Sequence, residues 1–297
     1  MKRIPQHQVV HAMDKEVRPV ARVQPGERLL VETEDCFSHQ IQEPSDTFGP
    51  WFDYSRINPA TGPIFVEGAL LGDVLEVRVE EIRLPEKGVV ASYPGWGPLG
   101  DKVKDPMIRI VPLDNGCARF SPEISLPLKP MIGVIGTVPA GGPVPCGSPG
   151  PHGGNLDTLE VTEGARIFLP VFVPGALLAL GDVHAAMGDG EVCGTAVECR
   201  AEVVLQVELH PRLGWTTPHL IRDESHYILT SGKSLKEAVR LATEEAVKLL
   251  SQAQGLTWQE AYMLASLVGD LQISQVVNPL KTVRMRIPLA LVWNVSP

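Results

Sequence analysis

Alternating apolar and polar residues predict β-strands through most of the chain. Residues 72–79 alternate in this way, with Glu76 on the polar face, which predicts a half-buried strand. Residues 197–209 keep the same two-residue period and predict one long strand with a solvated face. Residues 165–173 form a further apolar run, in which Pro170 indicates a sheet edge or a bulge.

The period changes to helical spacing late in the chain. Ser234 starts a capping-box signature, and the apolar spacing after it predicts a helix over about 234–254. Thr257 starts a second signature, which predicts a helix over about 258–269. The two helices are joined by a short turn and are expected to form an αα-hairpin that covers a sheet.

The fold class expected from these patterns is mainly β, a sandwich or barrel-like arrangement of mixed sheets, and α+β overall. The 28 Gly and 27 Pro are spread along the chain, which favours many short strands and turns. Residues 283–288 and 290–293 are predicted to return to strand. We expect a single β-rich unit over residues 1–297, or two subdomains over 1–150 and 151–297.

Composition and charge limit the classes of partner that the protein is expected to have. The net charge is -9 and aromatic residues make up 5% of the chain, which disfavours a nucleic-acid partner. The sequence has no apolar run long enough to span a membrane and no recognisable leader segment. Five scattered cysteines without a C-x-x-C pair suit a reducing compartment, so we expect a soluble, cytoplasmic protein without a membrane partner.

The segment 181–191 carries the clearest chemical signal. Asp182 and His184 are two residues apart, so in an extended strand both side chains point to one face and could bind a divalent cation. Asp189 begins a two-residue turn that would bring Glu191 to the same face, whereas a three-residue loop would move it to the opposite face. The alternative is a turn-capping aspartate and a hydrogen-bonded surface histidine.

Two further segments could contribute ligands. Asn155 and Asp157 repeat the two-residue spacing directly after a glycine pair, which lets backbone approach a ligand closely. Asp35, with His39 four residues later, is a third candidate for a metal ligand. Ordinary turn or loop chemistry is the alternative for both segments. The Gly/Pro-rich loops 94–100 and 141–154 are of a kind that is often functional.

Signatures of other catalytic classes are missing from the sequence. It contains no G-x-S-x-G elbow, no P-loop, no H-E-x-x-H and no dinucleotide-binding fingerprint. Catalysis by a serine nucleophile is therefore poorly supported, and metal-assisted hydrolysis fits the available residues better.

The motifs resemble those of a known family. Residues 153–157 and 181–191 are similar to the two hallmark motifs of the acetamidase/formamidase family, and the resemblance covers roughly residues 5 to 290. Supporting matches lie at residues 62–69, 261–262 and 276–279. Met187 and residues 148–152 depart from the family pattern, which bears on the identity of the substrate.

The resemblance implies hydrolysis of short carboxamides such as formamide and acetamide by a β-rich, metal-dependent enzyme. The family pattern implies metal ligation by Asp157, Asp182 and His184, with Asn155, Glu191 and Glu198 near the site. Zinc is the first choice of metal, with calcium or manganese as alternatives. The resemblance also suggests a homodimer or a larger homo-oligomer.

The mechanism expected from these residues is attack on the amide carbonyl by a metal-activated water. Glu191 would act as the general base, with Glu198 as the alternative, and Asn155 would donate to the oxyanion. Two rival functions stay open. One is a metal-stabilised β-sandwich that binds a small ligand without chemistry, and the other is a metal hydrolase of another small polar C–N substrate.

Overall fold

A computed structural model describes residues 1–211 and 213–295 of the chain. Residues 212, 296 and 297 of the predicted unit 1–297 lie outside the described residues. The strands of the first half are β1 Lys2–Ile4, β2 Val9–Val10, β3 Ala12–Met13, β4 Ala21–Val23, β5 Arg28–Thr33, β6 Ala60–Val66, β7 Val74–Arg83, β8 Lys87–Ser92, β9 Met107–Asp114, β10 Cys117–Arg119, β11 Ser125–Pro127, β12 Met131–Gly136 and β13 Val144–Pro145.

The remaining elements include both helices. They are β14 Gly153–Asn155, β15 Arg166–Pro170, β16 Leu178–His184, β17 Glu198–Cys199, β18 Ala201–His210, β19 His219–Arg222, β20 Ser225–Gly232, α1 Leu235–Gln254, α2 Trp258–Val268, β21 Asp270–Gln275 and β22 Lys281–Pro288. Short 3-10 helices cover Tyr54–Arg56, Gly100–Lys102, Leu289–Leu291 and Trp293–Val295.

The strands of the described residues form two large sheets and one small one. The nine-stranded sheet has the order β1-β5-β18-β7-β15-β19-β20-β22-β21. The eleven-stranded sheet runs β11-β10-β9-β8-β17-β16-β12-β14, with β6 also paired to β16 and with β2 and β4 paired to β6. The pairs β1–β5 and β4–β6 are parallel and the other strand pairs are antiparallel, so the predicted mixed, mainly β fold is confirmed.

The two large sheets share one hydrophobic core. Its cluster of buried side chains includes Leu75 and Val203 from the nine-stranded sheet and Ile132 and Leu180 from the eleven-stranded sheet. All four are 0% exposed, so inward-facing apolar residues of both sheets pack against each other as in a sandwich. Among the described residues, each of the two large sheets combines strands from 1–150 with strands from 151–297. The choice between a single unit and two subdomains stays a prediction.

The predicted long strand over residues 197–209 is wrong. The segment divides into β17 in the eleven-stranded sheet and β18 in the nine-stranded sheet, with Arg200 between them. The alternation continues across the break because the chain stays extended while it passes from one sheet to the other. Glu198 lies on β17 just before this crossing and is 2% exposed.

Two predictions about polar and proline positions are also wrong. Strand β15 lies between β7 and β19, and Pro170 is its last residue, so the strand is not at an edge and the proline ends it. Glu76 is buried instead of solvated. Its carboxylate pairs with Arg166, Arg78 and His210, which neutralise it.

The late helices are confirmed, whereas the last predicted strand is not. Ser234 Oγ accepts a hydrogen bond from the Glu237 amide at the start of α1, and Thr257 and Glu260 form a full capping box at the start of α2. Helix α1 buries a stripe of small residues against β20 and β22. Residues 290–293 form 3-10 turns, because β22 already ends at Pro288.

Within the described part of the chain, the helices lack the length and apolar character that a membrane span requires.

Candidate functional site

Strand β16 lies at the centre of the site. It pairs with β12 along one edge, and along the other edge it pairs first with β6 and then with β17. The register places His184 opposite Glu198, and all seven residues of β16 are buried. The polar end of β16 therefore faces a buried glutamate from β17.

Asp182 reaches the site through an unusual backbone conformation. Its φ is 56°, which is in the left-handed region. Asp182 lies opposite Gly133 on β12, because the residues before and after these two are paired with each other. A Cβ at Gly133 would lie 2.6 Å from Asp157 Oδ1 and 2.9 Å from Asp182 Oδ2. Only glycine leaves room for the two carboxylates at this point.

Carboxylates surround the imidazole of His184. Its Nε2 lies 3.2 Å from Glu198 Oε2, 3.5 Å from Asp182 Oδ1 and 4.0 Å from Asp157 Oδ1. The ligand atoms of Asp157, His184 and Glu191 all lie within 4.8 Å of one another. The structure thus brings together the carboxylates and the imidazole that the two sequence motifs supply.

Cys36 belongs to an adjoining group in the same site. Its sulfur and the carboxylates of Asp182 and Glu198 again lie within 4.8 Å of one another. Burial raises the pKa of the Cys36 thiol well above its usual value, and the nearby carboxylates add to this effect. The thiol is therefore neutral in the structure as it stands.

Amide side chains hold the carboxylates in place. Asn278 Nδ2 donates to Asp157 Oδ2 at 2.6 Å and to the Asn155 carbonyl at 3.1 Å. With its amide oriented to suit its neighbours, Asn155 donates to Asp182 Oδ2 and to Asp157 Oδ1, both at 3.0 Å, and accepts from Asn58 Nδ2 at 3.0 Å. These bonds form a network that spans both motifs.

Glu191 enters the site from a loop and not from a tight hairpin. Its amide donates to the Gly188 carbonyl at 3.2 Å, so the predicted Asp189–Gly190 turn exists. The hairpin of β16 and β17, however, closes at the Ala185 and Val197 backbone hydrogen bond of 2.8 Å. The prediction that a two-residue hairpin sets the register of Glu191 is therefore wrong, although its carboxylate reaches the site.

The loop that carries Glu191 is fixed by the other sheet. The Gly190 amide donates to the Ser274 carbonyl at 2.8 Å, and the Val276 amide donates to the Gly190 carbonyl at 3.1 Å. Arg284 on β22 forms an ion pair of 3.0 Å with Asp189. The end of the nine-stranded sheet therefore positions this glutamate.

The electrostatics of the site favour a bound cation. Burial raises the pKa of Asp157 to about 7, with a further increase from Asp182, and raises the pKa of Asp182 to about 6, with a further increase from Glu198. Burial also raises the pKa of Glu191 well above its usual value. For His184, burial acts to lower the pKa, but the neighbouring carboxylates outweigh it and raise it well above the usual value.

Unpaired atoms at the same place lead to the same conclusion. Among the described residues, Asp182 Oδ1, Glu198 Oε2 and both ring nitrogens of His184 are buried without a hydrogen-bond partner. Buried polar atoms are normally paired, and buried charges normally pair with an opposite charge or a metal. Carboxylate oxygens with an imidazole nitrogen suit a divalent cation such as Zn²⁺ or Mn²⁺, so these residues fit a metal.

Asp35 is not brought into this site as the sequence analysis expected. Its Oδ1 accepts hydrogen bonds from the Phe37 amide at 2.9 Å and from the His39 amide at 3.1 Å. It groups with Glu34 and His39, whereas neither group that contains Asp157 or Asp182 includes it. Asp35 caps the turn that presents its neighbour, Cys36.

Sequence reasoning missed Cys36, Asn58 and Asn278 as site residues. Cys36 has no histidine at a recognisable spacing, and the two asparagines are more than 90 residues from Asp157 or Asp182 along the chain. For Asn278, the signal in the sequence was the segment 276–279, which resembles the family. Contacts between segments that are distant in the sequence bring all three residues into the site.

A cavity of about 680 Å³ opens directly above these groups. Cys36, Asn58 and Asn278 form its floor. Cys36 and Asn278 lie against the carboxylates, and Asn58 donates a hydrogen bond to Asn155. Its walls come from several separate segments, which include the loops 94–100 and 141–154 noted in the sequence. The main wall residues are Phe37, Tyr54, Trp96, Ser148, Thr195 and Val277.

The sequence as a whole matches a known family. The model of the Acetamidase/Formamidase family matches residues 2–142 and 146–292, which cover both motifs and every residue of the site. The chain is 25% identical over 249 residues to a formamidase of Methylophilus methylotrophus, an alignment that spans 64% of this chain and 61% of that protein. The chain spans about three fifths of the length of the curated relatives that it matches over longer stretches.

Solved structures agree over nearly the whole chain. An acetamidase from Bacillus halodurans is 42% identical, with a TM-score of 0.96 over 99% of this chain and 100% of that one. An acetamidase from Yersinia enterocolitica is 30% identical, with a TM-score of 0.91 over 98% and 92% of the two chains. Because the family model matches nearly the whole chain and the solved acetamidase structures share its fold, this chain belongs to the acetamidase/formamidase family.

Proposed function

We propose that this protein is a metal-dependent amidase that hydrolyses carboxamides to a carboxylate and ammonia. The observation that carries the proposal is the convergence of Asp157, Asp182, Glu198 and His184 next to Cys36 and Asn278, which line a cavity of about 680 Å³. The family membership and the acetamidases and formamidase that the chain resembles support the same reaction.

In this proposal, Asp157, Asp182 and His184 would hold the cation, with Glu198 as a further ligand candidate. A divalent cation bound there would polarise the amide carbonyl and make a water nucleophilic near neutral pH. Zinc is the first choice, and manganese and calcium are the alternatives. Cytoplasmic location and assembly into a homodimer or larger oligomer stay predictions.

Glu191 is proposed as the general base and acid. It lies on the anchored loop beside Asp157 and His184, and it is 7% exposed. It takes a proton from water as the oxygen bonds to the carbonyl carbon, and it returns a proton to the nitrogen as the C–N bond breaks. Such proton transfer contributes roughly 10²- to 10⁴-fold to a rate.

Asn155 is proposed to position the carboxylates instead of binding the oxyanion. In this structure its amide nitrogen is engaged by both Asp157 and Asp182. An oxyanion donor has to point toward the substrate, so the predicted oxyanion role of Asn155 is not retained.

The test combines ammonia release with the metal content of the purified protein. We expect the wild type to release ammonia from acetamide and formamide, and to lose this activity on chelation and regain it when the metal is restored. Asp182→Ala should lower both the bound metal and kcat/KM, the latter by at least about 100-fold. Retention of metal and turnover in Asp182→Ala would show that the assignment is wrong.

Glu191→Gln separates an enzyme from a binding protein. The amide keeps the size of the side chain but cannot accept a proton, so ammonia release should fall by about 10²- to 10⁴-fold while the metal stays bound. In a ligand-binding protein without chemistry, the wild type would release no ammonia. A panel that includes urea and guanidine derivatives tests the other rival, a hydrolase of different C–N substrates.

A further inference from the structure

The cavity above the site is large for a short amide. Its volume of about 680 Å³ is in the range of pockets that hold drug-sized ligands, roughly 300–1,000 Å³. Acetamide is only a few times larger than a water molecule, whose share of liquid volume is about 30 Å³. A bound acetamide would therefore leave most of the cavity to solvent.

The wall of this cavity is aromatic in a chain that has few aromatic residues. The whole sequence has 7 Phe, 5 Trp and 4 Tyr. Seven of these residues form one continuous network of ring contacts beside the cavity: Phe37, Phe48, Trp51, Phe52, Tyr54, Tyr93 and Trp96. Such a concentration at one place calls for an explanation beyond ordinary packing.

Three rings of the network line the cavity and two others support them. Phe37, Tyr54 and Trp96 contribute to the wall. Phe48 packs edge-on against Trp96 with ring centroids 5.6 Å apart, and Tyr93 lies 5.2 Å from Trp96. The supporting rings hold the indole of Trp96 in place, so the wall is formed before a ligand binds.

The aromatic wall and the polar floor belong to one site. Cys36 and Phe37 are adjacent in the chain and both line the cavity, and the Cys36 sulfur lies within 4.8 Å of the carboxylates of Asp182 and Glu198. A single ligand can thus place a carboxamide at the floor and an apolar group against the rings.

We propose that the preferred substrates are primary carboxamides of arylalkyl acids, with the aromatic ring bound between Phe37, Tyr54 and Trp96. This inference rests on the proposed function and names its substrate class. The reaction consumes one water and yields the arylalkyl carboxylate and ammonia, without any other reactant. Ring-to-ring contact adds to the burial of apolar surface and favours an aryl group over a saturated one.

The experiment measures kcat/KM by ammonia release for acetamide, phenylacetamide and cyclohexylacetamide. Groups that fill an apolar pocket raise kcat/KM by roughly 10- to 200-fold, so phenylacetamide should exceed acetamide by at least about 10-fold. The kcat/KM for phenylacetamide should exceed that for cyclohexylacetamide by about 2- to 10-fold, because only the aryl ring makes favourable edge and face contacts.

Two substitutions in the wall and one outside it sharpen the test. Trp96→Ala should lower kcat/KM for phenylacetamide by about 10-fold more than for acetamide. Val277→Phe narrows the cavity and should also lower kcat/KM for phenylacetamide more than for acetamide. Trp258→Ala is the matched control, because this tryptophan lies on the surface of α2, is 59% exposed and does not line the cavity. Trp258→Ala should leave the ratio of kcat/KM for phenylacetamide to kcat/KM for acetamide unchanged.

The outcomes distinguish this inference from the function on which it rests. Hydrolysis of acetamide with a lower kcat/KM for phenylacetamide overturns the inference and leaves the amidase function standing. Equal rates for the phenyl and cyclohexyl compounds overturn the aromatic assignment. If none of the amides releases ammonia from metal-loaded protein, both proposals are wrong. A Trp96→Ala variant that loses the same factor on both substrates also contradicts the inference.

Discussion

Glu76 illustrates how a single buried charge is accommodated. It is 0% exposed, and it accepts hydrogen bonds from Arg166 Nε at 2.6 Å and from Arg78 Nε at 2.6 Å, with His210 Nε2 at 2.5 Å. Burial alone would raise the pKa of Glu76, but the hydrogen bonds from Arg166, Arg78 and His210 outweigh it and lower the pKa to about 2.

This pKa predicts how stability depends on pH. The pKa in the folded protein is below the ordinary value for a glutamate, so the ionised carboxylate contributes stability above about pH 4.3. That contribution is lost progressively as the pH falls toward 2. Glu76→Gln should therefore destabilise the protein by about 1–3 kcal/mol at pH 7, and the difference from wild type should shrink on acidification.

Urea unfolding at pH 7 and at pH 3 measures both free energies. Glu81→Gln is a suitable control, because Glu81 lies on the same strand but its ion pair with Arg83 is exposed. Exposed pairs contribute only about 0–1 kcal/mol. A difference between Glu76→Gln and wild type that grows below pH 4 would contradict the assignment.

At the scale of elements, strand β12 limits the size of the site. Gly133→Ala would place a methyl group 2.6 Å from Asp157 Oδ1 and 2.8 Å from the Asp182 carbonyl. The two carboxylates must then move. A displacement of about 1 Å typically lowers a catalytic rate by up to about 100-fold. We expect kcat/KM for acetamide to fall by roughly 10- to 100-fold and the metal content to fall with it.

Gly141→Ala is the matched control for this substitution. A Cβ at Gly141 has no atom within 4 Å, and this glycine is not among those with a positive φ. It should keep full activity and metal content. Equal behaviour of the two variants in ammonia release and elemental analysis would show that β12 does not set the geometry of the site.

Local sequence signals predicted the helices better than the pairing of the strands. The capping residues Ser234 and Thr257 fix the helix starts through short-range hydrogen bonds, and the structure confirms both helices. The division of residues 197–209 between two sheets has no local signal, because alternation shows that a chain is extended but not which strand it pairs with. The position of Pro170 inside a sheet depends on long-range pairing in the same way.

The candidate site was predicted where its residues are close in sequence. Asp182 and His184 lie in one strand, and the spacing of Asn155 and Asp157 was visible in the same way. Asn278 joins them through a 2.6 Å bond that spans 121 positions of the chain, which no local pattern encodes.

At the scale of the whole molecule, Arg284 connects the two sheets at the site. This buried residue on β22 donates to the Ile273 carbonyl at 3.1 Å, pairs with Glu160 at 2.6 Å and reaches Asp189 at 3.0 Å. Asp189 lies two residues before Glu191. The position of the proposed general base therefore depends on an arginine of the nine-stranded sheet.

Arg284→Met should break this connection. Removing one partner of a buried ion pair costs about 3–5 kcal/mol, and the partial exposure of Asp189 places the expected loss near the lower end. Because the Glu191 loop loses its anchor, kcat should fall by about 10-fold or more even at temperatures where the protein stays folded. Thermal unfolding and ammonia release measure the two effects separately.

Arg286→Met on the same strand provides the comparison. Its ion pair with Asp270 is exposed, so we expect a loss of at most about 1 kcal/mol and unchanged kcat. If Arg284→Met retained wild-type kcat in the folded protein, the sheet would not position Glu191.

The separate origin of the polar groups and of the cavity wall has an evolutionary consequence. Asp182, His184 and Glu198 lie on paired strands whose backbone is held by hydrogen bonds, whereas the loops 94–100 and 141–154 contribute to the wall. Loops tolerate exchange and insertion better than paired strands do. Descendants of a common ancestor can thus acquire new substrate preferences by remodelling the loops, while the strands below preserve one inherited chemistry.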